Sequence, residues 1–91
     1  LVVVVLTVDF RNKDLLAGPD ILSRGFIYMR ESGDLIHEAQ TIVRQEVLSL
    51  LKGSDAISEK KLKDTVTNAI QPYLYEKTER RPMIVPVVMG V

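Results

Sequence analysis

Positions 2 to 5 are four consecutive valines, and Leu6, Val8 and Phe10 extend the apolar run. β-Branched residues suit a pleated, buried surface, so residues 1–10 are read as a strand. The even positions Val2, Val4, Leu6, Val8 and Phe10 are all apolar, and so are the odd positions Val3 and Val5 before Thr7 and Asp9. A strand that is apolar on both sides is covered on both sides. Helices of the same chain supply one cover. The other is further protein, from a partner chain or a longer parent; failing that, Val3 and Val5 stay part-exposed on a small sheet.

Residues 11–14 form a polar turn, with Asn12 suited to positive φ. Residues 15–17 are read as a short return strand, and Gly18-Pro19-Asp20 as a change of direction, because Pro19 fixes its own φ and restrains Gly18. Residues 21–30 are read as a second long strand, with Gly25 marking a bulge or a close backbone approach. Residues 32–52 carry Leu35, Ile36, Ala39, Ile42, Val43, Val47, Leu50 and Leu51 at helical spacing, which predicts an amphipathic helix. Ser32 or Asp34 caps its start, Lys52 complements its negative end and Gly53 suits a left-handed C-cap. A second helix starts near residues 54–58 and runs to about Thr78 through Leu62, Val66, Ala69, Ile70, Tyr73 and Leu74. Pro72 is expected to kink or break it. Residues 83–91 give a third strand, and Pro86, which has no amide donor, places that strand on a sheet edge or at a bulge. The fold class is therefore α+β, in the order β-β-α-α-β: a small three-stranded sheet, with an additional short hairpin strand, and two helices on one face.

The chain has 91 residues, 12 basic and 12 acidic side chains, a formal net charge of zero, one histidine and no cysteine. Without cysteine there is neither a disulfide framework nor a thiolate metal site. Neutrality argues against a free-standing nucleic-acid module. His37, the one imidazole, has no second histidine or cysteine to share a metal and no residue to orient it for nucleophilic catalysis. Glycine-rich phosphate loops are absent, and the aspartates fall in turns, at caps or on polar faces. No catalytic and no metal-binding residue is assigned. No apolar run approaches the roughly 18 residues of a membrane span. Residues 1–8 lack the basic flank and cleavage site of a signal peptide. A soluble cytoplasmic domain is the expectation. The chain opens inside a strand with no lead-in, and it is read as one domain, residues 1–91, cut from a longer protein.

Two blocks carry a resemblance. One is Gly18-Pro19-Asp20-Ile21-Leu22-Ser23-Arg24-Gly25-Phe26-Ile27-Tyr28, followed by Arg30-Glu31-Ser32. The other is Tyr75-Glu76-Lys77-Thr78-Glu79-Arg80-Arg81-Pro82-Met83-Ile84-Val85-Pro86-Val87-Val88-Met89. With the valine-rich opening, they resemble the C-terminal domain of bacterial ribonuclease J. Pro72, and a turn at residues 11–14 without glycine, depart from the family's pattern. The resemblance implies a parent of the metallo-β-lactamase class with an inserted β-CASP domain, a zinc-dependent ribonuclease with endonucleolytic and 5′-to-3′ exonucleolytic activity. Its zinc ligands and RNA-gripping residues would lie upstream, and no position here takes their roles. The C-terminal domain would support dimer or tetramer assembly and position the catalytic core.

These considerations favour a non-catalytic assembly domain, with Val3, Val5, Ile84, Pro86 and Val88 as candidate interface residues. Its partners would be a second copy and the parent's own core. The alternative is an RNA-contacting accessory module that uses Arg24, Arg30, Lys77, Arg80 and Arg81.

Overall fold

The computed structural model describes residues 1–25, 33–53 and 55–91. The first strand, β1 (Val2–Asp9), is the centre of a three-stranded sheet. Strand β2 (Asp14–Ser23) pairs with it antiparallel and β3 (Ile84–Gly90) pairs with it parallel, giving the order β2-β1-β3. Between β2 and β3 lie two helices, α1 (Gly33–Lys52) and α2 (Glu59–Thr78). The order β-β-α-α-β and the α+β class agree with the sequence pattern.

The core lies between the sheet and the helices. Val2, Val4, Leu6 and Val8 of β1 are fully buried there. They meet Ala39, Val43, Val47 and Leu51 of α1 and Leu62, Val66, Ile70, Tyr73 and Leu74 of α2. The α1 contribution repeats every fourth residue, which keeps it on one helical stripe. Burying each aliphatic side chain of this kind stabilises the fold by about 2 kcal/mol.

The path of β2 corrects the sequence reading. The expected return strand at residues 15–17 and the first part of the expected strand at residues 21–30 are one ten-residue strand, and Gly18-Pro19-Asp20 lies inside it. Residues 26–32 lie outside the described residues, and with them the rest of that expected strand, Arg30 and the Ser32 cap. Pairing skips twice. Val5 faces Asp20 but Thr7 faces Ala17, so Gly18 and Pro19 together oppose Leu6. Thr7 and Val8 then face Ala17 and Leu15, which leaves Leu16 as the extra residue. Each skip is a bulge, with two residues on one strand opposing one on the other. The two side-flips cancel, so Leu15 and Ile21 both pack on the core while Ala17 is exposed. Gly18 makes the larger bulge possible: its φ is +92°, the peptide bond to Pro19 is cis, and a Cβ would collide with the Val5 carbonyl oxygen. Gln40 Nε2 of α1 donates to the Pro19 carbonyl at 3.2 Å and ties the bulge to the helix layer. Gly25 was the expected bulge, but it follows the strand at φ +74° with nothing near its Cβ position.

The turns also differ in detail. Positive φ falls on Lys13 rather than Asn12. Asp9 organises this turn, accepting from the Arg11 and Asn12 amides at 3.0 Å each and from Asn12 Nδ2 at 2.8 Å. The Asn12 backbone amide, above all, holds the Asp9 carboxyl below its ordinary pKa. Lys13 Nζ reaches across to donate to the carbonyls of Gly53 and Asp55. Gly53 does not adopt a left-handed C-cap: Gly18 and Gly25 are the described glycines at positive φ. Helix α1 instead closes with a tight bond from Gly53 N to Leu50 O, and the Lys13 ammonium serves the carbonyl end. The left-handed C-cap occurs on α2, at Glu79, whose amide donates to Tyr75 O at 2.8 Å. Ser58 caps the start of α2, its Oγ accepting from Lys61 N at 3.0 Å. Pro72 does not break α2, which continues to Thr78. Pro72 and Asn68 are both exposed, so the lost helical bond falls on the solvent side of α2 and not in the core.

Two predictions test this packing. Gly18→Ala should lower the unfolding free energy in urea by about 2 kcal/mol or more, through positive-φ strain and the clash with Val5. Tyr73→Phe should cost about 1 kcal/mol near neutral pH. The Tyr73 hydroxyl lies 2.9 Å from Glu38 Oε2 and 3.2 Å from Leu35 O, tying α2 to α1. Burial first, and the Glu38 carboxylate second, push its pKa up to about 12 from the usual 10.0. A raised pKa means that the folded state holds the proton more tightly. The Tyr73→Phe deficit should therefore be complete below pH 10 and shrink as pH rises from 10 towards 12.

Candidate functional site: the open face of the sheet

Strand β1 alternates strictly between buried and half-buried residues. Its odd residues Val3, Val5 and Thr7 point away from the helices. Residues paired across strands share a face, so the register assembles that second face. From β3 it receives Val85, Val87 and Met89, opposite Val3, Val5 and Thr7. From β2 it receives Leu22, Asp20 and Ala17, opposite the same three. Leu22 is 62% exposed, Met89 56% and Val87 37%. No described element covers this face, because α1 and α2 both pack on the other one. Its chemistry is that of an aliphatic surface, with Asp20 on one side and the Asp9–Asp14 pair at one end. A continuous exposed apolar surface marks a binding face rather than a reaction centre.

The five expected interface residues divide between the two faces. Val3 and Val5 lie on the open face. Ile84, Pro86 and Val88 pair with Val2, Val4 and Leu6, on the helix side of β3, and Ile84 and Val88 pack against the core. Sequence reasoning missed Leu22, Val85, Val87 and Met89. Residues 83–89 are apolar throughout, so the two faces of β3 are told apart only by its parallel register with β1. Pro86 does lie on an edge strand. Val2 N donates to Met83 O at 2.8 Å and Val91 N donates to Val8 O at 3.0 Å. The odd-numbered residues of β3 therefore bond to β1, and the amide position of Pro86 points to the free edge. Its missing hydrogen costs the ladder nothing and blunts that edge against further pairing.

The candidate RNA contacts gather at one end of the sheet. Arg24 exchanges backbone bonds with Leu1, at 2.9 and 3.0 Å, beside the start of β1. Lys77, Arg80 and Arg81 lie at the end of α2 and just before β3, whose first residue pairs with Val2. Arg30 lies outside the described residues. Lys60, Lys61 and Lys63, by contrast, are paired with Asp64, Asp55 and Glu59. His37 is on the helix surface. Among the described residues, no group of three or more His, Cys, Asp or Glu is placed to hold a metal ion. No helix among them is long and apolar enough to cross a membrane.

Comparison with known proteins places this architecture. The chain matches the family described as "Ribonuclease J C-terminal domain" over residues 1–91. It is 54% identical over 88 residues to Ribonuclease J 1 of Streptococcus pyogenes serotype M3, a match covering 97% of this chain. It is 42% identical over 91 residues, 100% of the chain, to Ribonuclease J2 of Bacillus subtilis. Ribonuclease J 2 of Staphylococcus aureus is 42% identical over 89 residues, 98% of the chain. In each case the chain spans 16% of the relative's length. With the whole chain matched and the expected β-β-α-α-β architecture in place, the chain belongs to the ribonuclease J C-terminal domain family.

Proposed function

We propose that residues 1–91 form the C-terminal accessory domain of a cytoplasmic RNA-processing and RNA-decay nuclease, and that the domain's work is assembly rather than chemistry. The observation that carries this reading is the open face built by Val3, Val5, Val85, Val87, Met89 and Leu22. Such a face lowers its free energy by docking on another surface, at roughly 25 cal/mol for each Å² of apolar area removed from water. The occupant is protein: a second copy of the parent, its own catalytic core, or both. The relatives' names support RNA as the parent's substrate. Endonucleolytic and 5′-to-3′ exonucleolytic cleavage, and the zinc of a metallo-β-lactamase and β-CASP core, are assigned to the remainder of the parent. The described residues of this domain do not fit a zinc site.

Val87→Glu with Met89→Glu in the full-length protein tests the reading. Two carboxylates on the open face leave the helix-side core untouched and should change domain stability by about 0.5 kcal/mol or less. The assembly mass from sedimentation should fall by a subunit step, or the domain should become releasable by limited proteolysis. A wild-type mass together with wild-type protease resistance would overturn the assembly role.

A further inference from the structure

Helix α2 carries Pro72 in its interior and continues for six residues beyond it. Proline has no amide hydrogen, so the Asn68 carbonyl, four residues earlier, has no helical donor. Asn68 and Pro72 line one surface cleft of about 460 Å³ together with Thr67, Gln71, Tyr75 and Arg81. The Arg81 guanidinium lies over the Tyr75 ring, 4.5 Å from its centroid. Tyr75 is nevertheless 45% exposed. It differs in this from Tyr73, which is buried in the core. A cation over an aromatic ring is a common way to pin a loop to a helix, and here it ties the approach to β3 onto α2. That role accounts for the pair. It does not account for the side-chain amides of Asn68 and Gln71 in the same cleft, beside an exposed residue whose carbonyl has lost its helical donor.

We propose that this cleft binds one unpaired base of a single-stranded RNA, stacked on the Tyr75–Arg81 pair. The lining suits a flat, polar-edged ligand, since Pro72 is its one aliphatic group. Every nucleobase has a π-face for an aromatic or guanidinium plane, and a splayed base exposes its hydrogen-bonding edge. The exocyclic amine of adenine donates to the Asn68 carbonyl. The Asn68 and Gln71 side-chain amides donate to its ring nitrogens. Arg80, next in the chain to Arg81, is exposed and in no ion pair with another described residue, and it serves a flanking phosphate; Lys77 lies round the helix from the cleft lining. Glu76 and Glu79 oppose Arg80, so the dependence on salt is shallow, on the order of one counterion. The choice of RNA rests on the functional reading above. The stacking geometry does not, and the cleft lies in the helix layer, apart from the open sheet face.

The test is photocrosslinking of the full-length protein, in chelator, to a short oligoadenylate bearing one 8-azidoadenosine. The expected adduct is in the tryptic peptide spanning residues 64–77. Tyr75→Ala should cut its yield, and the affinity behind it, by about tenfold, the size of one lost stacked base. Tyr75→Phe should retain both. Pro72→Ala gives the sharper readout. It restores an amide donor to the Asn68 carbonyl, so it should raise thermal stability while weakening the crosslink by about threefold. A wild-type protein with no adduct in this peptide, or equal yields in wild type and Tyr75→Ala, would overturn the proposal. Cleavage of the unmodified oligonucleotide by the wild-type protein, measured alongside, separates failure of this cleft from failure of the RNA reading.

Discussion

Everything in this fold depends on the position of β1. It is hydrogen-bonded on both edges, antiparallel to β2 and parallel to β3. Its even residues Val2, Val4, Leu6 and Val8 are inaccessible to solvent and form the floor on which both helices rest. A central strand satisfies its backbone groups within the sheet, so its side chains can be apolar on both faces without leaving a polar group unpaired. One face is consumed by the core. The other, Val3 and Val5, is left as the middle of an apolar surface to which both neighbours contribute. The feature that makes the core possible therefore also leaves an apolar face that no described element covers.

The neighbours meet that constraint differently. On β2, two bulges and Gly18 at positive φ keep Leu15 and Ile21 on the core across an irregular stretch. On β3, regular parallel pairing carries Val85, Val87 and Met89 to the open face, and Pro86 falls where its absent hydrogen is harmless. The helices are joined to each other by the Tyr73–Glu38 bond and to the sheet by Gln40 and Pro19. Surface ion pairs along α2 add little to this, because exposed pairs of this kind are worth under about 1 kcal/mol.

How much of this is legible in the sequence follows from the range of each interaction. The valine run and the two helical stripes are local patterns, and β1, α1 and α2 appear where those patterns lie. The family resemblance also rests on contiguous residues. The course of β2 was hidden because a Gly-Pro-Asp turn and a Gly-Pro-Asp bulge read alike; what separates them is the carbonyl of Val5, on another strand. The membership of the open face was half visible. Val3 and Val5 declare themselves, but Val85, Val87 and Met89 are chosen over Ile84, Pro86 and Val88 only by the register between strands about eighty residues apart. Pro72 was read as a kink or a break with the last turns continuing to about Thr78; α2 does run to Thr78, with Pro72 and Asn68 both on its exposed side.

The central claim is that the open face is covered in the whole protein. Met89 reports on it directly, because the residue is 56% exposed in this domain, lies opposite Thr7 on that face and carries an oxidisable thioether. Peroxide oxidation of Met89 can be followed by mass spectrometry in the full-length protein, native and in urea. If the face is docked, Met89 should react at least about tenfold more slowly in the native protein than in the unfolded chain, as a thioether shielded from oxidant does. Similar rates in the two states would show the face open to solvent and contradict the account.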